Sequence, residues 1–377
     1  MKKIFVDIYL AFNLGDDLFL DILARKYPNC EFTLNYVGSN YDEFISQYEN
    51  LNRRKYTIFN KIGQRLNVID YLNNYERVAK EHDALIFIGG SIFREEEYHR
   101  SLYKDRMNLV KEFKDRNKAV FILGANFGPF TTEQFYSDYL AFFKQCDDVC
   151  FRDLYSYNLF KNLSQVRYAP DIVFQMDMER YKGSAIKNRV GFSIIDVRHK
   201  KGLSEYYDSY IKSTVKSIEL LTEKGFECYL MSFCEEEGDL EIINIIKSSL
   251  SISTSEKIKI YDYKGDIDEA IRLIASFELI VAARFHANII ALLLEIGLMP
   301  VVYSKKTSEM LGDINMDKIL INMNELHLQY DENTMKNSFY NKTDLALISN
   351  DAKNQFKKLN EFIEPKPEPV LDVLIRG

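Results

Sequence analysis

Short runs of β-branched and aromatic residues alternate with longer segments of helical period along most of the chain. Such runs predict strands, and the segments between them predict helices. Leu102, Leu109, Val110 and Phe113, for example, share one face of a predicted helix. The strands predicted in the first half are Lys3–Tyr9, Phe32–Val37, Ala84–Ile88, Ala119–Leu123, Val149–Phe151 and Val166–Tyr168. This alternation is typical of a parallel α/β sheet.

A polar stretch after Phe174 divides the chain into two predicted domains. It reads QMDMERYKGSAIKNR, and a second series of strands and helices begins beyond it. The strands predicted in this series are Val190–Ile195, Glu227–Met231, Lys257–Tyr261, Leu279–Ala283 and Pro300–Tyr303. A length of 377 residues also favours two domains over one. We therefore expect an α/β protein with two Rossmann-like, doubly wound domains, at residues 1–178 and 186–330, that face a crevice.

A late amphipathic segment, Asp344–Phe362, predicts a helix after the second sheet is complete. Three of the seven prolines follow this segment, and proline extends neither a helix nor a sheet. Residues 331–377 are therefore expected to form a C-terminal helix and a proline-containing tail.

The charge balance argues against a nucleic-acid binder. The chain has 49 Lys and Arg against 56 Asp and Glu, a net charge of −7, whereas nucleic-acid binding needs a basic surface. The longest apolar run, Leu279–Val302, contains Arg284, His286 and Glu295, which are too costly in a bilayer for a transmembrane helix. Asp7 likewise interrupts the apolar N-terminal segment, which predicts a first strand and not a secretory signal.

Cysteine and histidine positions argue against disulfides and metal sites. The five cysteines form no C-x-x-C pair in a chain too long to need disulfides, so a reducing, cytoplasmic location is expected. The five histidines lack the spacing of zinc motifs, so no metal is expected.

Candidate chemistry lies in the loops after predicted strands, because ligands of open parallel sheets bind at the carboxyl ends of strands. The first loop reads NLGDD, in which Gly15 permits a tight turn and Asp16 or Asp17 can cap the next helix. Simple capping is the alternative to a functional role. Two other loops carry glycines that let a ligand approach the backbone, with ordinary turns as the alternative: Gly89, Gly90, Gly124 and Gly128. Neither loop has a dinucleotide-binding or P-loop motif.

Two loops carry arginines suited to an anionic ligand. Arg152 follows a predicted strand and can bind an anion at the crevice, or pair with Asp153 and fix the turn. Arg284 and His286 lie at the start of an apolar helix, where backbone N–H groups and the helix dipole favour an anion. The alternative is a buried Arg284 that is satisfied by a carboxylate of the core.

Three polar segments give weaker signals. Lys305 and Lys306 follow the strand PVVY, and the segment RHKK at 198–201 follows GFSII. Both groups can reach a phosphate, although short charge runs are usually solvated. Asp266 and Asp268 form a D-x-D pair like the metal site of many sugar transferases, but a cap of the following helix is the favoured interpretation.

Seven motifs, taken in order over about Lys3–Leu311, resemble those of the polysaccharide pyruvyl transferase family: NLGDD, FIGGS, GxxxGP, FRDxxS, APDIVF, ARFHA and PVVYSKK. The resemblance implies a GT-B-like fold whose C-terminal helix returns to the first domain. It also implies transfer of pyruvate from phosphoenolpyruvate onto two hydroxyls of a sugar, as a ketal, in surface or capsular polysaccharide synthesis. The chain departs from the family pattern at Ser91 and Phe285, where glycine and leucine are usual.

The resemblance implies roles for single residues. Arg284 and Arg152 match the family's donor-binding arginines, with Lys305 expected beside them, and the second domain becomes the donor side. His286 matches the donor-site histidine and is expected to supply a proton or to assist the leaving phosphate. Asp16, in the first domain on the acceptor side, is the candidate general base.

Phosphoenolpyruvate is then the donor substrate, a saccharide is the acceptor, and no cofactor is expected. The acceptor can be free or lipid-linked, and a lipid-linked acceptor would bring the enzyme to the inner face of the membrane as a peripheral protein. Two alternatives remain. One is a GT-B glycosyltransferase that binds the diphosphate of a nucleotide sugar through Arg284 and His286, and the other is a non-catalytic sensor or scaffold.

Overall fold

Two sheets of parallel strands organise the chain. The computed structural model describes residues 1–55, 62, 65–66, 74–198, 200, 202–303, 305–314, 316, 319–326, 332–339 and 343–364. The first sheet ends at Tyr168 and the second begins at Arg189. Two short 3-10 turns, Ile172–Gln175 and Glu179–Tyr181, connect the two sheets.

The first sheet contains β1 (Lys2–Asp7), β2 (Cys30–Leu34), β3 (Leu51–Arg53), β4 (Ala84–Ile88), β5 (Ala119–Ala125), β6 (Asp148–Phe151) and β7 (Val166–Tyr168). Their order across the sheet is β3-β2-β1-β4-β5-β6-β7. Ile4 of β1 is paired with Phe32 on one side and with Ala84 on the other. The strand order reverses between β1 and β4, and a doubly wound sheet opens a crevice at such a point.

The second sheet contains β8 (Arg189–Ile194), β9 (Glu227–Ser232), β10 (Lys259–Asp262), β11 (Leu279–Ala282), β12 (Gly297–Val302) and β13 (Ile321–Asn322). Their order is β10-β9-β8-β11-β12-β13, with the reversal between β8 and β11. The predicted class, two doubly wound parallel sheets, is therefore confirmed.

Helices connect most of the strands. They are α1 (Leu14–Lys26), α2 (Asp42–Ser46), α3 (Glu76–Glu81), α4 (His99–Lys114), α5 (Glu133–Phe143), α6 (Leu154–Phe160), α7 (Tyr207–Glu223), α8 (Asp239–Ser249), α9 (Ile252–Ser255), α10 (Ile267–Ala275), α11 (Phe285–Leu294), α12 (Lys305–Asp313), α13 (Glu332–Ser338), α14 (Ala346–Ala352) and α15 (Lys357–Ile363). Within the described ranges, none of these helices has the length and hydrophobicity that a bilayer crossing requires.

The eleven predicted strands are all present, with ends that differ from the prediction by at most three residues. The prediction omits β3 and β13, which have three and two residues and are too short for a hydrophobic run. The late helix predicted over 344–362 is interrupted, because a 3-10 turn at Lys353–Phe356 separates α14 from α15.

The two halves share one apolar core. Helix α1 of the first half contacts α10 and α11 of the second half. Leu18, Phe19, Ile271 and Ile290 are fully buried in the same hydrophobic cluster. Burial of this apolar surface holds the two sheets in a fixed relation around the crevice.

The C-terminal segment returns to the first half of the chain, as the GT-B-like fold implies. Buried Gln355 donates to the backbone oxygens of Ala169 and Pro170, at 2.7 and 3.1 Å, and accepts from the N–H of Gly124 at 2.9 Å. The hydroxyl of Tyr27 also donates to Oδ1 of Asn360 at 2.5 Å. Segment 346–363 is thus an integral layer of the first domain.

Candidate active site

A cavity of about 350 Å³ lies between the two halves. The loops after β1 and β4 contribute one wall, and the N-terminal end of α11 contributes the facing wall. The lining residues include Asp7, Tyr9, Asn13, Gly15, Asp16, Gly90, Ser91, Arg94, Glu96, Tyr98, Arg106 and Arg152 from the first half, and Lys200, Glu237, Arg284, Phe285, His286 and Tyr303 from the second. The cavity therefore occupies the crevice expected at the carboxyl ends of the strands.

Gly15 lets the two halves approach closely at this cavity. A Cβ atom built on Gly15 would lie 1.9 Å from Nδ1 of His286, too close for any larger residue. The N-cap of α1 is Asn13, whose Oδ1 accepts from the N–H of Gly15 at 3.0 Å. The expectation that Asp16 or Asp17 caps this helix is therefore wrong, because Asn13 already occupies the capping position.

Arg152 and His286, from opposite halves, meet at the carboxylate of Asp171. Nη1 of Arg152 lies 2.7 Å from Oδ2 of Asp171, and Nε2 of His286 lies 3.6 Å from the same oxygen. Nη2 of Arg152 donates to Oδ1 of Asn126 at 2.7 Å. A Cβ on Gly90 would lie 2.4 Å from Nη2 of Arg152, so the guanidinium occupies space that a side chain at position 90 would fill.

The alternative in which Arg152 pairs with Asp153 is wrong. Oδ1 of Asp153 instead accepts from the N–H of Ser156 at 2.7 Å and caps α6. Arg152 also lies over the ring of Phe285, 4.6 Å from the ring centre. The Arg152 side chain is thus fixed on several sides, which favours a defined position for an anion-binding group.

Asp171 is ionised despite complete burial. Burial alone would raise its pKa, but His286 and Arg152 together outweigh that effect and hold the pKa of Asp171 at about 2. Its Oδ1 also accepts from the N–H of Val173 at 2.9 Å. An ionised carboxylate between two cationic groups orients both of them and favours a protonated imidazole.

Nε2 of His286 has both a donor and an acceptor within reach. Nη1 of Arg152 is 3.4 Å away and can donate to an unprotonated Nε2. Oδ2 of Asp171, at 3.6 Å, can approach a protonated Nε2. The ring also stands edge-on to Phe19, with 5.3 Å between ring centres. Both protonation states of His286 therefore have a polar neighbour, as acid catalysis requires.

Arg284 lies in the cavity wall but is paired with two carboxylates. Nη1 lies 2.6 Å from Oε2 of Glu237, and Nη2 binds Oδ1 of Asp239. These carboxylates outweigh burial and raise the pKa of Arg284 well above its usual value. The alternative of a buried Arg284 that is satisfied by core carboxylates is therefore confirmed. Arg284 also lines the cavity, so a bound anion could still meet its guanidinium.

Glu237 links the halves at this point. Its Oε1 accepts from Nδ2 of Asn13 at 3.1 Å, and its Oε2 lies 3.6 Å from Nζ of Lys200. Burial would raise the pKa of Glu237, but Arg284 and Lys200 lower it well below its usual value. The segment at 198–201 thus contributes one lysine to the cavity, whereas His199 and Lys201 lie outside the described residues.

The two carboxylates of the NLGDD loop have different surroundings. Asp16 lines the cavity. Asp17 is fully buried and accepts from the hydroxyls of Tyr263 at 2.8 Å and Tyr41 at 3.1 Å. Burial raises the pKa of Asp17 to about 7, although both hydroxyls act in the opposite direction. Tyr263 belongs to the second half, so this cluster also joins the two halves.

The remaining predicted site residues lie elsewhere. Gly124 and Gly128 have φ of +70° and +98° and shape the backbone after β5; among the described residues, neither they nor Gly89 lines the cavity. Lys305 begins α12, but its side chain lies outside the described part of the structure. Asp266 caps α10 by accepting from the N–H of Glu269 at 2.9 Å, as expected for a helix cap.

Sequence reasoning misses several polar residues of this site, above all Asp171, Glu237 and Asp239. Asp171 belongs to the quoted motif APDIVF, but no spacing rule connects it to Arg152 or His286. The acidic loop EEEGD begins three positions after the last residue of β9, so the strand-end rule could have identified Glu237. Within the described residues, no group of three or more His, Cys, Asp or Glu is arranged to hold a metal ion.

Solved structures similar to this one share its fold at low sequence identity. HepE from Anabaena, solved with UDP and glucose, has a TM-score of 0.55 and 11% identity, and the match covers 96% of this chain and 99% of that chain. UDP-GlcNAc 2-epimerase from Methanocaldococcus jannaschii gives 0.57 and 11%, covering 96% and 99%. The epimerase from Neisseria meningitidis gives 0.58 and 10%, covering 96% and 100%. These matches show the GT-B fold.

The sequence itself matches a family profile. No curated protein matches it. The profile described as polysaccharide pyruvyl transferase matches residues 13–305, which include Gly15, Arg152, Asp171, Arg284 and His286. The match extends over more than half of the chain and includes most strands of both sheets. The chain therefore belongs to the polysaccharide pyruvyl transferase family.

Proposed function

We propose that this protein transfers pyruvate from phosphoenolpyruvate to two hydroxyls of a sugar and forms a ketal. The observation that carries the proposal is the meeting of Arg152 and His286, from opposite domains, at Asp171 in the cavity. Membership of the family supports the reaction class. The cavity combines a fixed cation, a proton-carrying side chain and a carboxylate, Asp16, that faces the same space.

The donor's charges suit this cavity. Phosphoenolpyruvate carries a carboxylate and a phosphate, and a planar guanidinium binds such groups through two parallel hydrogen bonds. The N-terminal end of α11 adds backbone N–H groups and a favourable dipole. The lining has five arginines and lysines against four carboxylates, so a multiply charged anion also gains from protonation of His286. Donor binding would thus favour the acid form of the catalyst.

The reaction breaks one C–O bond and forms two, and three protons move: one to the methylene carbon and one from each hydroxyl. His286 donates a proton to the methylene carbon of the donor, which becomes a methyl group and leaves a cationic centre at the neighbouring carbon. One sugar hydroxyl adds to that centre and loses its proton to Asp16. Phosphate then leaves with the electron pair of its C–O bond and takes the proton from Asp16, and the second hydroxyl adds to the resulting cationic centre and loses its proton to His286. The products are the ketal and inorganic phosphate.

Asp171 has a positioning role in this scheme. It contacts both Arg152 and His286 and is buried beneath them, so it meets neither substrate directly. Its charge favours the protonated imidazole and orients the ring. Gly15 and Gly90 serve the same arrangement, because any larger residue would push His286 or Arg152 away.

Calorimetric titration with phosphoenolpyruvate and with UDP-glucose tests the proposal. We expect phosphoenolpyruvate to bind and the Arg152→Gln variant to lose this binding by about 10-fold or more. Arg167→Gln is the matched control, because Arg167 also pairs with a buried aspartate, Asp148, on the same sheet. Arg167 contacts the C-terminal segment through the backbone oxygen of Gln355, and it is absent from the described lining of the cavity.

Phosphate release in the presence of a saccharide acceptor provides the catalytic readout. Binding of UDP-glucose without binding of phosphoenolpyruvate would reject the proposal and favour the nucleotide-sugar glycosyltransferase. Binding of neither ligand would favour the non-catalytic alternative. Equal loss of donor binding in the Arg152 and Arg167 variants would contradict direct binding of the donor by Arg152.

A further inference from the structure

Two tyrosines stand at the open end of the cavity. Tyr9 is 40% exposed and Tyr98 is 58% exposed, whereas Arg152 and Arg284 on the same cavity are only 7% and 8% exposed. The cavity therefore has buried charged residues at its inner end and exposed aromatic rings at its opening. We call Tyr9 and Tyr98 together the aromatic patch.

Few of the tyrosines that the structure describes are exposed. The chain has 25 tyrosines, and among those that the structure describes, Tyr9, Tyr98 and Tyr155 are the exposed ones. Two of these three line the same cavity, whereas Tyr155 lies in a separate groove beside α12. Exposure of a large apolar ring to water costs free energy, so two such rings at one cavity mark a surface that a ligand covers.

Both rings of the aromatic patch belong to the first half of the chain. Tyr9 follows β1, and Tyr98 immediately precedes α4. Arg284 and His286 reach the cavity from the second half. The aromatic patch is thus on the wall opposite Arg284 and His286, where an acceptor can bind with its hydroxyls directed toward the donor.

We propose that Tyr9 and Tyr98 bind a pyranose ring of the acceptor by contact with its C–H face, an inference that rests on the proposed function. A pyranose has hydroxyls at its edge and C–H groups on its faces, and a tyrosine ring offers a flat apolar surface with a polar tip. Ring contact at the cavity opening holds the sugar while its hydroxyls point to the charged residues at the inner end.

Polar groups beside the aromatic patch match the edge of such a ring. Nε of Arg94 lies 2.7 Å from Oε1 of Glu96, and both side chains line the cavity. Burial would lower the pKa of Arg94, but Glu96, Glu237 and Tyr98 raise it overall, so the guanidinium stays charged. Donors and acceptors are therefore both available to sugar hydroxyls next to the two rings.

The size of the cavity limits what the aromatic patch binds. A volume of about 350 Å³ is at the lower end of ligand cavities, which span about 300–1,000 Å³. The donor takes part of this space, so the cavity accommodates about one sugar ring beside it. Further units of the acceptor would extend past the exposed Tyr98 into solvent.

Saturation-transfer NMR with methyl pyranosides tests this inference without the donor. The probes are the methyl glycosides of glucose, galactose, mannose and N-acetylglucosamine. We expect at least one to bind, with the strongest saturation at the C–H protons of one ring face. Tyr9→Ala and Tyr98→Ala should each weaken this binding by about 2- to 10-fold, as expected for loss of one aromatic contact.

Two controls separate ring contact from general damage. Tyr98→Phe keeps the ring and should bind within about twofold of the wild-type protein, whereas Tyr155→Ala removes an equally exposed tyrosine outside the cavity and should have no effect. Donor binding, measured by calorimetry, should be unchanged in all four variants. Absence of sugar binding in the wild-type protein, or alanine variants that bind like it, would overturn the inference.

The two proposals fail differently. If a pyranoside binds through Tyr9 and Tyr98 but phosphoenolpyruvate does not bind, the proposed function fails and the sugar subsite stands. If phosphoenolpyruvate binds and yields phosphate with an acceptor, but the alanine variants keep the wild-type KM for that acceptor, the function stands and the sugar subsite fails.

Discussion

Asp17→Asn is expected to stabilise the protein increasingly as the pH rises from 5 to 7. Asp17 is fully buried, and hydroxyls of Tyr41 and Tyr263 are its neighbours at 3.1 and 2.8 Å. Burial raises its pKa from 3.8 to about 7, whereas the hydroxyls oppose the shift and nearby Asp16 adds to it. Between pH 3.8 and about pH 7, Asp17 is therefore ionised in the unfolded chain and protonated in the folded protein.

The sign and size of the effect follow from proton linkage. Because the folded state binds the extra proton, the unfolding free energy contributed by Asp17 decreases as the pH rises, by up to about 1.4 kcal/mol per pH unit. The loss amounts to about 2 kcal/mol between pH 5 and pH 7 and levels off above pH 7. An amide keeps hydrogen-bonding capacity and has no charge to bury, so the Asp17→Asn variant lacks this loss.

Urea unfolding at pH 5, 6, 7 and 8 measures the difference between the variant and the wild-type protein. The unfolding free energy of the variant minus that of the wild-type protein should increase by about 2 kcal/mol from pH 5 to pH 7, whatever its value at pH 5. Asp21→Asn is the control on the same helix, because Asp21 pairs with Arg25 and its replacement breaks an ion pair. A difference that stays constant across this pH range would refute the reasoning.

Other predictions concern the cavity. Gly15→Ala should lower kcat by about 10²-fold while far-UV circular dichroism stays unchanged, because the new methyl group displaces His286, and an unaltered kcat would contradict the close approach. His286→Asn should lower kcat by about 10²–10⁴-fold with little change in donor affinity. A normal kcat with a raised donor Kd in this variant would make His286 a phosphate ligand only. Asp171→Asn should move the basic limb of the pH–rate profile to lower pH, since it removes the charge that favours the protonated ring of His286. Arg284→Lys should raise the Kd for phosphoenolpyruvate by about 10- to 100-fold in calorimetry, because a lysine cannot reproduce the planar contact, and an unchanged Kd would exclude a donor role. Transfer activity should persist with excess chelator, and a loss that added metal reverses would contradict a metal-free mechanism.

The fold is largely predictable because central strands such as β4, β6 and β11 are buried along their whole length and mostly apolar. Such apolar runs remain visible in the sequence whatever surrounds them, which explains the agreement at these strands. Strands β3 and β13 lie at sheet edges and are very short, so pairing with a neighbour, and not composition, makes them strands.

The sequence predicts only those site residues that lie in the loops directly after strands. The rule that ligands bind at the carboxyl ends of parallel strands leads to Gly15, Arg152, Arg284 and His286, which the structure brings to one cavity. It does not reveal that Asp171 serves both Arg152 and His286, because these partners are 19 and 115 positions away in the chain. Partners of this kind depend on how the two domains pack.

The return of the C-terminal segment bears on how the protein folds during synthesis. The first sheet is complete at Tyr168, yet the face that Gln355 and Phe356 cover stays open until the ribosome has added almost 200 further residues. At about 5–20 residues per second, that wait lasts roughly 10–40 seconds. The second domain can fold within that interval, so the nascent first domain is exposed to chaperones for longer than the domain made after it. Any fragment that stops before residue 346 would keep this opening permanently.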